Sequence, residues 1–158
     1  MDRTEITYTD DNGHLVVIMP GVVERLLSYR QISPVSLEAA GVLIGERREN
    51  HVVIHAISEP GPGDVRARFT VIRKGPHHQA LVNKLHHTSG GTMNYLGEWH
   101  THPERFPSPS NTDKSSWQKD IASAEPMVLI IVGQSAMWCG KKVGHTTMSF
   151  ATQWFYDF

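Results

Sequence analysis

His100 and His102 flank Thr101, and seven residues later come Ser110, two more residues and Asp113. On a strand, side chains two apart point to the same side, so both imidazoles can face one point. A helix starting near Ser110 would bring Asp113 back to that point in its first turn. Two neutral imidazoles and a carboxylate suit Zn2+, one ion per chain, with bonds of ~2.0–2.2 Å. Three protein ligands leave a fourth position open, which marks a catalytic rather than a structural site. Zn2+ there would lower the pKa of a water to ~7 and polarise a carbonyl. A hydrolase also needs a general base. Glu38 is the candidate, because it stands just before the apolar run Ala39–Gly45 at the end of a buried strand. Ser110 is the candidate donor to an oxyanion.

Other readings compete at single positions. Ser110 and Asp113 also have the spacing of a helix capping pair. Glu104, two residues past His102, is a rival carboxylate. His77-His78 and His86-His87 read as a solvated helix face, since adjacent helical residues diverge. His51 and His55 read as surface or edge residues. Arg66, Arg68, Arg73 and Lys74 read as a solvated face. A sharper alternative makes the strand near Arg68–Ile72 an edge that accepts an extended substrate tail. Trp99 and Trp117 read as core, and Cys139 as a small packed side chain. Trp138, Trp154, Phe155 and Phe158 read as core or as a partner patch.

The elements that must position the set follow from periodicity and punctuation. Two short strands, Ile6–Thr9 and His14–Met19, flank an Asp-Asp-Asn-Gly turn. Pro20 opens a helix with Val22, Val23, Leu26 and Leu27 on one face. Ala39–Gly45 and His51–Ile57 form a hairpin, with Glu46–Asn50 as its turn. Glu59–Val65 is a Pro/Gly loop, Arg68–Ile72 a strand and Pro76–His87 a helix. Asn94–His102 is a strand running into the site. Pro103–Asn111 is a loop, and Ser110 caps a helix reaching about Ala124. Met127–Val132 is a fully buried strand, followed by strands near Ala136–Val143 and Thr146–Phe155. The mixture is α/β or α+β.

The chain has 158 residues, enough for a single domain over 1–158. Its 15 Lys+Arg against 16 Asp+Glu give a net charge of -1, which argues against a nucleic-acid partner. No apolar run approaches the ~20 residues that span a bilayer, and the polar, acidic start predicts no secretory leader. A single cysteine excludes an internal disulfide and fits a reducing, cytoplasmic setting. It also excludes the paired thiolates of a cytidine deaminase.

Glu38, then His100-Thr101-His102, seven residues, Ser110, two residues and Asp113 resembles, without gaps, the motif of the JAMM (JAB/MPN) zinc metalloproteases. The resemblance implies a cytidine-deaminase-like α/β fold, with a curved mixed sheet flanked by helices. It implies Zn2+ on His100, His102 and Asp113, with Glu38 as acid/base and Ser110 as oxyanion partner. It further implies hydrolysis of the amide bond after the C-terminal tail of a ubiquitin-like modifier. Trp99 and the Glu-Pro-Gly-Pro-Gly loop resemble the short stand-alone bacterial members. Some of these accompany ubiquitin-activating and ubiquitin-conjugating-like enzymes in CBASS antiphage operons. There the implied substrate is a cGAS-like nucleotidyltransferase (CD-NTase) whose C-terminal tail is joined to a lysine of a target. A precursor-processing peptidase and a non-catalytic MPN scaffold are the alternatives; the scaffold would be marked by a missing ligand, and none is missing.

Overall fold

The computed structural model describes residues 4–121 and 123–150, and the backbone of 153–154. Strands β1 (Ile6–Thr9) and β2 (Leu15–Ile18) form the expected hairpin and lead into helix α1 (Pro20–Ser28). Strands β3 (Ala40–Arg48) and β4 (His51–Ile57) form the next hairpin. Its turn is shorter than the predicted Glu46–Asn50, because pairing continues to Arg48 opposite His51. After β5 (Val65–Arg66) and β6 (Val71–Ile72) come helix α2 (His77–Thr88) and strand β7 (Asn94–Thr101). Helix α3 (Asn111–Asp120) precedes β8 (Met127–Val132), β9 (Ala136–Val143), β10 (Thr146–Ser149) and β11 (Gln153–Trp154). The main sheet runs β1-β2-β4-β3-β7-β8-β9-β10, with β11 also against β9. The β2/β4 and β7/β8 pairs are parallel and the others antiparallel. This is the mixed-sheet α/β fold that the motif implied.

Strand β8 reads MVLIIV because both its faces are covered. Val128, Ile130 and Val132 join Val22, Val23, Leu26 and Leu27 of α1 in the larger core. Leu129 and Ile131 meet Trp117, Ile121 and Trp138 on the α3 face. Trp117 and Trp138 stack there, ring centroids 5.6 Å apart. Trp99 and Cys139 are buried, as expected. Trp138 belongs to the core, while the Trp154 side chain, Phe155 and Phe158 lie outside the described residues.

Three further element expectations are corrected. Arg68–Ile72 is not one strand: the chain reverses, with Ala67 N donating to Thr70 O at 2.9 Å, and β5 pairs with β6 as a separate small hairpin. Helix α3 stops at Asp120 rather than near Ala124: Ile121 leaves the helical conformation and its carbonyl accepts the buried Lys142 ammonium. The last predicted strand is two short pieces, β10 and β11, pairing with opposite ends of β9.

Strand β7 carries a bulge opposite Leu43/Ile44, with Gly97 at φ +147°. A Cβ on Gly97 would sit 1.8 Å from Val128 O, so only glycine fits against β8. The extra residue changes the parity of the strand. Leu96 and Trp99, three apart, therefore both enter the α1 core, and His100 is turned toward Trp117 of α3, centroids 6.2 Å apart.

Candidate active site

His100 and His102 leave the end of β7 on one side, and Asp113 stands in the first turn of α3. His100 Nε2 is 3.1 Å from His102 Nε2. Asp113 Oδ1 is 3.2 Å from His100 Nε2, and Asp113 Oδ2 is 3.1 Å from His102 Nε2. Tetrahedral coordination with ~2.0–2.1 Å bonds separates ligand atoms by about 3.3 Å. Two ring nitrogens and a carboxylate that sets one oxygen against each of them, all at about that spacing, are a donor set that fits a metal ion. Without one, two neutral imidazoles each donating Nε2–H to Asp113 would set their N–H groups against each other at 3.1 Å. Burial alone would raise the Asp113 carboxyl, but the bonds from His100 and His102 outweigh it and hold it well below the usual range. For His102, burial pulls the imidazole down; the bonds to Asp113 and Glu104 outweigh that and raise it.

Ser110 and Asp113 form a complete capping box. Asp113 N donates to Ser110 Oγ at 3.0 Å, and Ser110 N donates to Asp113 Oδ2 at 2.9 Å. The capping reading of this pair holds, and the same cap aims the Asp113 carboxylate toward His100 and His102. Ser110 Oγ spends acceptor capacity on the cap, which leaves its O–H proton to donate elsewhere.

Glu38 precedes β3 and is only 6% exposed. A carboxylate oxygen of Glu38 and ring nitrogens of His100 and His102 lie within 4.8 Å of one another. Burial pushes its carboxyl up, and the two imidazoles partly offset this. Its backbone is gripped by the β5–β6 hairpin: Glu38 N donates to Ala67 O at 2.7 Å, and Arg66 Nε donates to Glu38 O at 2.8 Å. Arg68 donates to Ser33 O at 2.8 Å, and Arg73 pairs with Glu98. Three of the four basic residues expected on a solvated face are therefore tethers. Glu104, the rival carboxylate, meets His102 at Nδ1, away from the point where His100, His102 and Asp113 meet.

Gln31 went unnoticed in the sequence. It is fully buried and accepts from Thr101 Oγ1 at 2.7 Å while donating to Arg68 O at 2.8 Å. It sits between helix and loop, with no spacing to any motif, so no local signal marked it. The site opens into a cleft of about 1190 Å³ whose walls include Phe69, Ile72, Val82 and Tyr95.

A second gathering corrects the solvated reading of His77-His78. His78 is buried; its Nε2 donates to Asp64 at 2.9 Å, and its Nδ1 accepts from Ser58 Oγ at 2.6 Å. Ser58 Oγ in turn accepts from Val42 N at 2.8 Å. His77 Nε2 donates to Glu59 O at 2.6 Å. The bonds tie the start of α2 and the Pro/Gly loop to β3. His86-His87 is exposed, as expected.

Residues 24–148 match the family of prokaryotic homologs of the JAB domain. The chain belongs to this family and is an enzyme of its JAMM-type peptidase class. It is 55% identical over 142 residues to a CD-NTase/cGAS isopeptidase of Vibrio cholerae serotype O1, covering 90% of this chain and 91% of that one. A protein of the same name from Pseudomonas aeruginosa is 34% identical, covering 82% and 84%. A probable metalloprotease of Sinorhizobium fredii is 28% identical over 109 residues, covering 65% and 66%. A solution structure of a Desulfitobacterium hafniense protein shares the fold at TM-score 0.61 and 20% identity, covering 84% of this chain and 87% of that one. Among the described residues no helix is long and apolar enough to cross a membrane.

Proposed function

We propose that residues 1–158 form one JAB/MPN domain acting in the cytoplasm as a zinc-dependent isopeptidase. In this reading it cleaves the amide bond after a C-terminal tail conjugated to a lysine, releasing a CD-NTase from its target in antiphage defence. Its counterpart is a ubiquitin-activating and -conjugating-like enzyme that makes the bond. The names of the relatives from Vibrio cholerae and Pseudomonas aeruginosa support the substrate class. The observation that carries the chemistry is the meeting of His100, His102 and Asp113 within 3.2 Å, with Glu38 beside them.

His100, His102 and Asp113 hold the Zn2+, which when bound polarises the scissile carbonyl and acidifies a water. Glu38 takes the proton from the attacking water as the oxygen adds to the carbonyl carbon. Burial, which raises its carboxyl, favours keeping that proton until Glu38 passes it to the lysine nitrogen as the C–N bond breaks. Ser110 donates its O–H to the oxyanion as the carbonyl becomes tetrahedral. The tail lies extended along the open side of β6, where main-chain bonds hold it straight and Phe69 and Ile72 cover its side chains.

Elemental analysis of the purified protein beside Asp113→Ala tests the site. About one zinc per chain in the parent and little in the variant is expected, with cleavage of a CD-NTase conjugate by the parent alone. A parent that takes up no zinc when it is offered would make the protein a binding scaffold.

A further inference from the structure

We propose that Glu104 is a positioning residue that fixes the tautomer and tilt of His102; the proposal rests on the metal-site reading above. Glu104 Oε1 lies 2.7 Å from His102 Nδ1. A carboxylate only accepts, and a neutral imidazole carries one N–H. With Glu104 at Nδ1, the N–H sits there, and Nε2 presents its lone pair to the point shared with His100 and Asp113.

Glu104 is held for this task by its backbone. Gln134 N donates to Glu104 O at 2.7 Å, and Ser135 N donates to Arg105 O at 3.0 Å, joining the loop to the β8–β9 turn. His102 N donates to Val132 O at 3.1 Å on the same strand end. Gly133 lets the two segments touch: a Cβ there would lie 2.4 Å from Pro107 Cδ and 2.8 Å from Glu104 O. His102 and the carboxylate that orients it are thus both anchored to the end of β8. The Glu104 side chain is 50% exposed, so as a surface ion pair it would add little. Its consequence is in how well the imidazole is aimed and how basic Nε2 is.

The experiment is competition for zinc between a chelator and the metal-free full chain, with Glu104→Ala, Glu104→Gln and Asp113→Ala beside the parent. Melting of each metal-free protein is recorded as well. Glu104→Ala should hold zinc about 10–100-fold more weakly than the parent, while the metal-free variant melts where the parent does. Glu104→Gln, whose amide oxygen still accepts from Nδ1–H, should recover part of the loss. Zinc held as tightly by Glu104→Ala as by the parent would overturn the proposal. So would a loss as complete as that of Asp113→Ala, which would make Glu104 a ligand. A parent that binds no zinc would overturn the metal site itself, and the positioning role with it.

Discussion

Thr101 Oγ1 accepts a hydrogen bond from Ala39 N at 2.9 Å. Ala39 is the next residue after Glu38, and Thr101 lies between His100 and His102, so the bond adjoins the proposed base on one side and both histidines on the other. Thr101 N also donates to Ala39 O at 3.0 Å. The side chain pointing away from the site therefore sets the distance between the proposed base and the proposed ligands. Gln31 completes the bracket by tying Thr101 to the hairpin that grips Glu38.

Thr101→Val keeps the shape and removes the hydroxyl. Ala39 N and Gln31 Oε1 are then buried without that partner, at a cost of about 1–3 kcal/mol in urea unfolding. Thr101→Ser, which keeps the hydroxyl, should lose less. Equal losses would mean that the methyl group, not the bond, matters.

Glu38→Gln should keep its zinc and lose turnover by about 10²–10⁴-fold, the range a positioned general base supplies. The amide is close to isosteric and takes no proton. Paired elemental analysis and conjugate cleavage separate the effects; a variant cleaving at the parental rate would remove Glu38 from the reaction.

Ser110 has two jobs that two substitutions can divide. Ser110→Ala should lower kcat by about 10²–10³-fold through the lost oxyanion donor, and destabilise by about 1 kcal/mol through the lost cap. Ser110→Gly should lose the same activity but only a few tenths of a kcal/mol, because glycine is a tolerable N-cap. If kcat follows stability across the pair, the hydroxyl acts through the cap alone.

His78 should make the protein acid-sensitive. Burial lowers its pKa below the ordinary value near 6.5, with His77 and Arg73 adding to the effect, against the pull of Asp64. The unfolded chain then binds the proton more readily than the folded one, so stability rises with pH. This contribution is fully present above about 6.5 and is lost as pH falls through the lowered folded value. Asp64, whose carboxyl is also held low, extends the loss at lower pH. Urea midpoints at pH 8 and pH 5 should differ more for the parent than for His78→Gln. An equal difference would place the sensitivity elsewhere.

The convergence of the proposed ligands, the cap and most elements were legible in the residues because each rests on short-range rules. His100 and His102 share a side through strand parity. Ser110 and Asp113 meet through the first turn of a helix. The unbroken apolar run of β8 announced burial on both faces. These relations need only a few residues of chain. The tertiary structure alone decided which side of β7 the histidines face, because the bulge at Gly97 resets the parity only where Val128 presses on it. It also decided that Gln31 meets Thr101 across 70 residues of sequence, and that His78 is buried on Asp64 rather than solvated. Likewise it turned Glu104 to the far nitrogen of His102. Each of these depends on two segments brought together by packing, and a spacing along the chain carries no information about a partner that is distant in it.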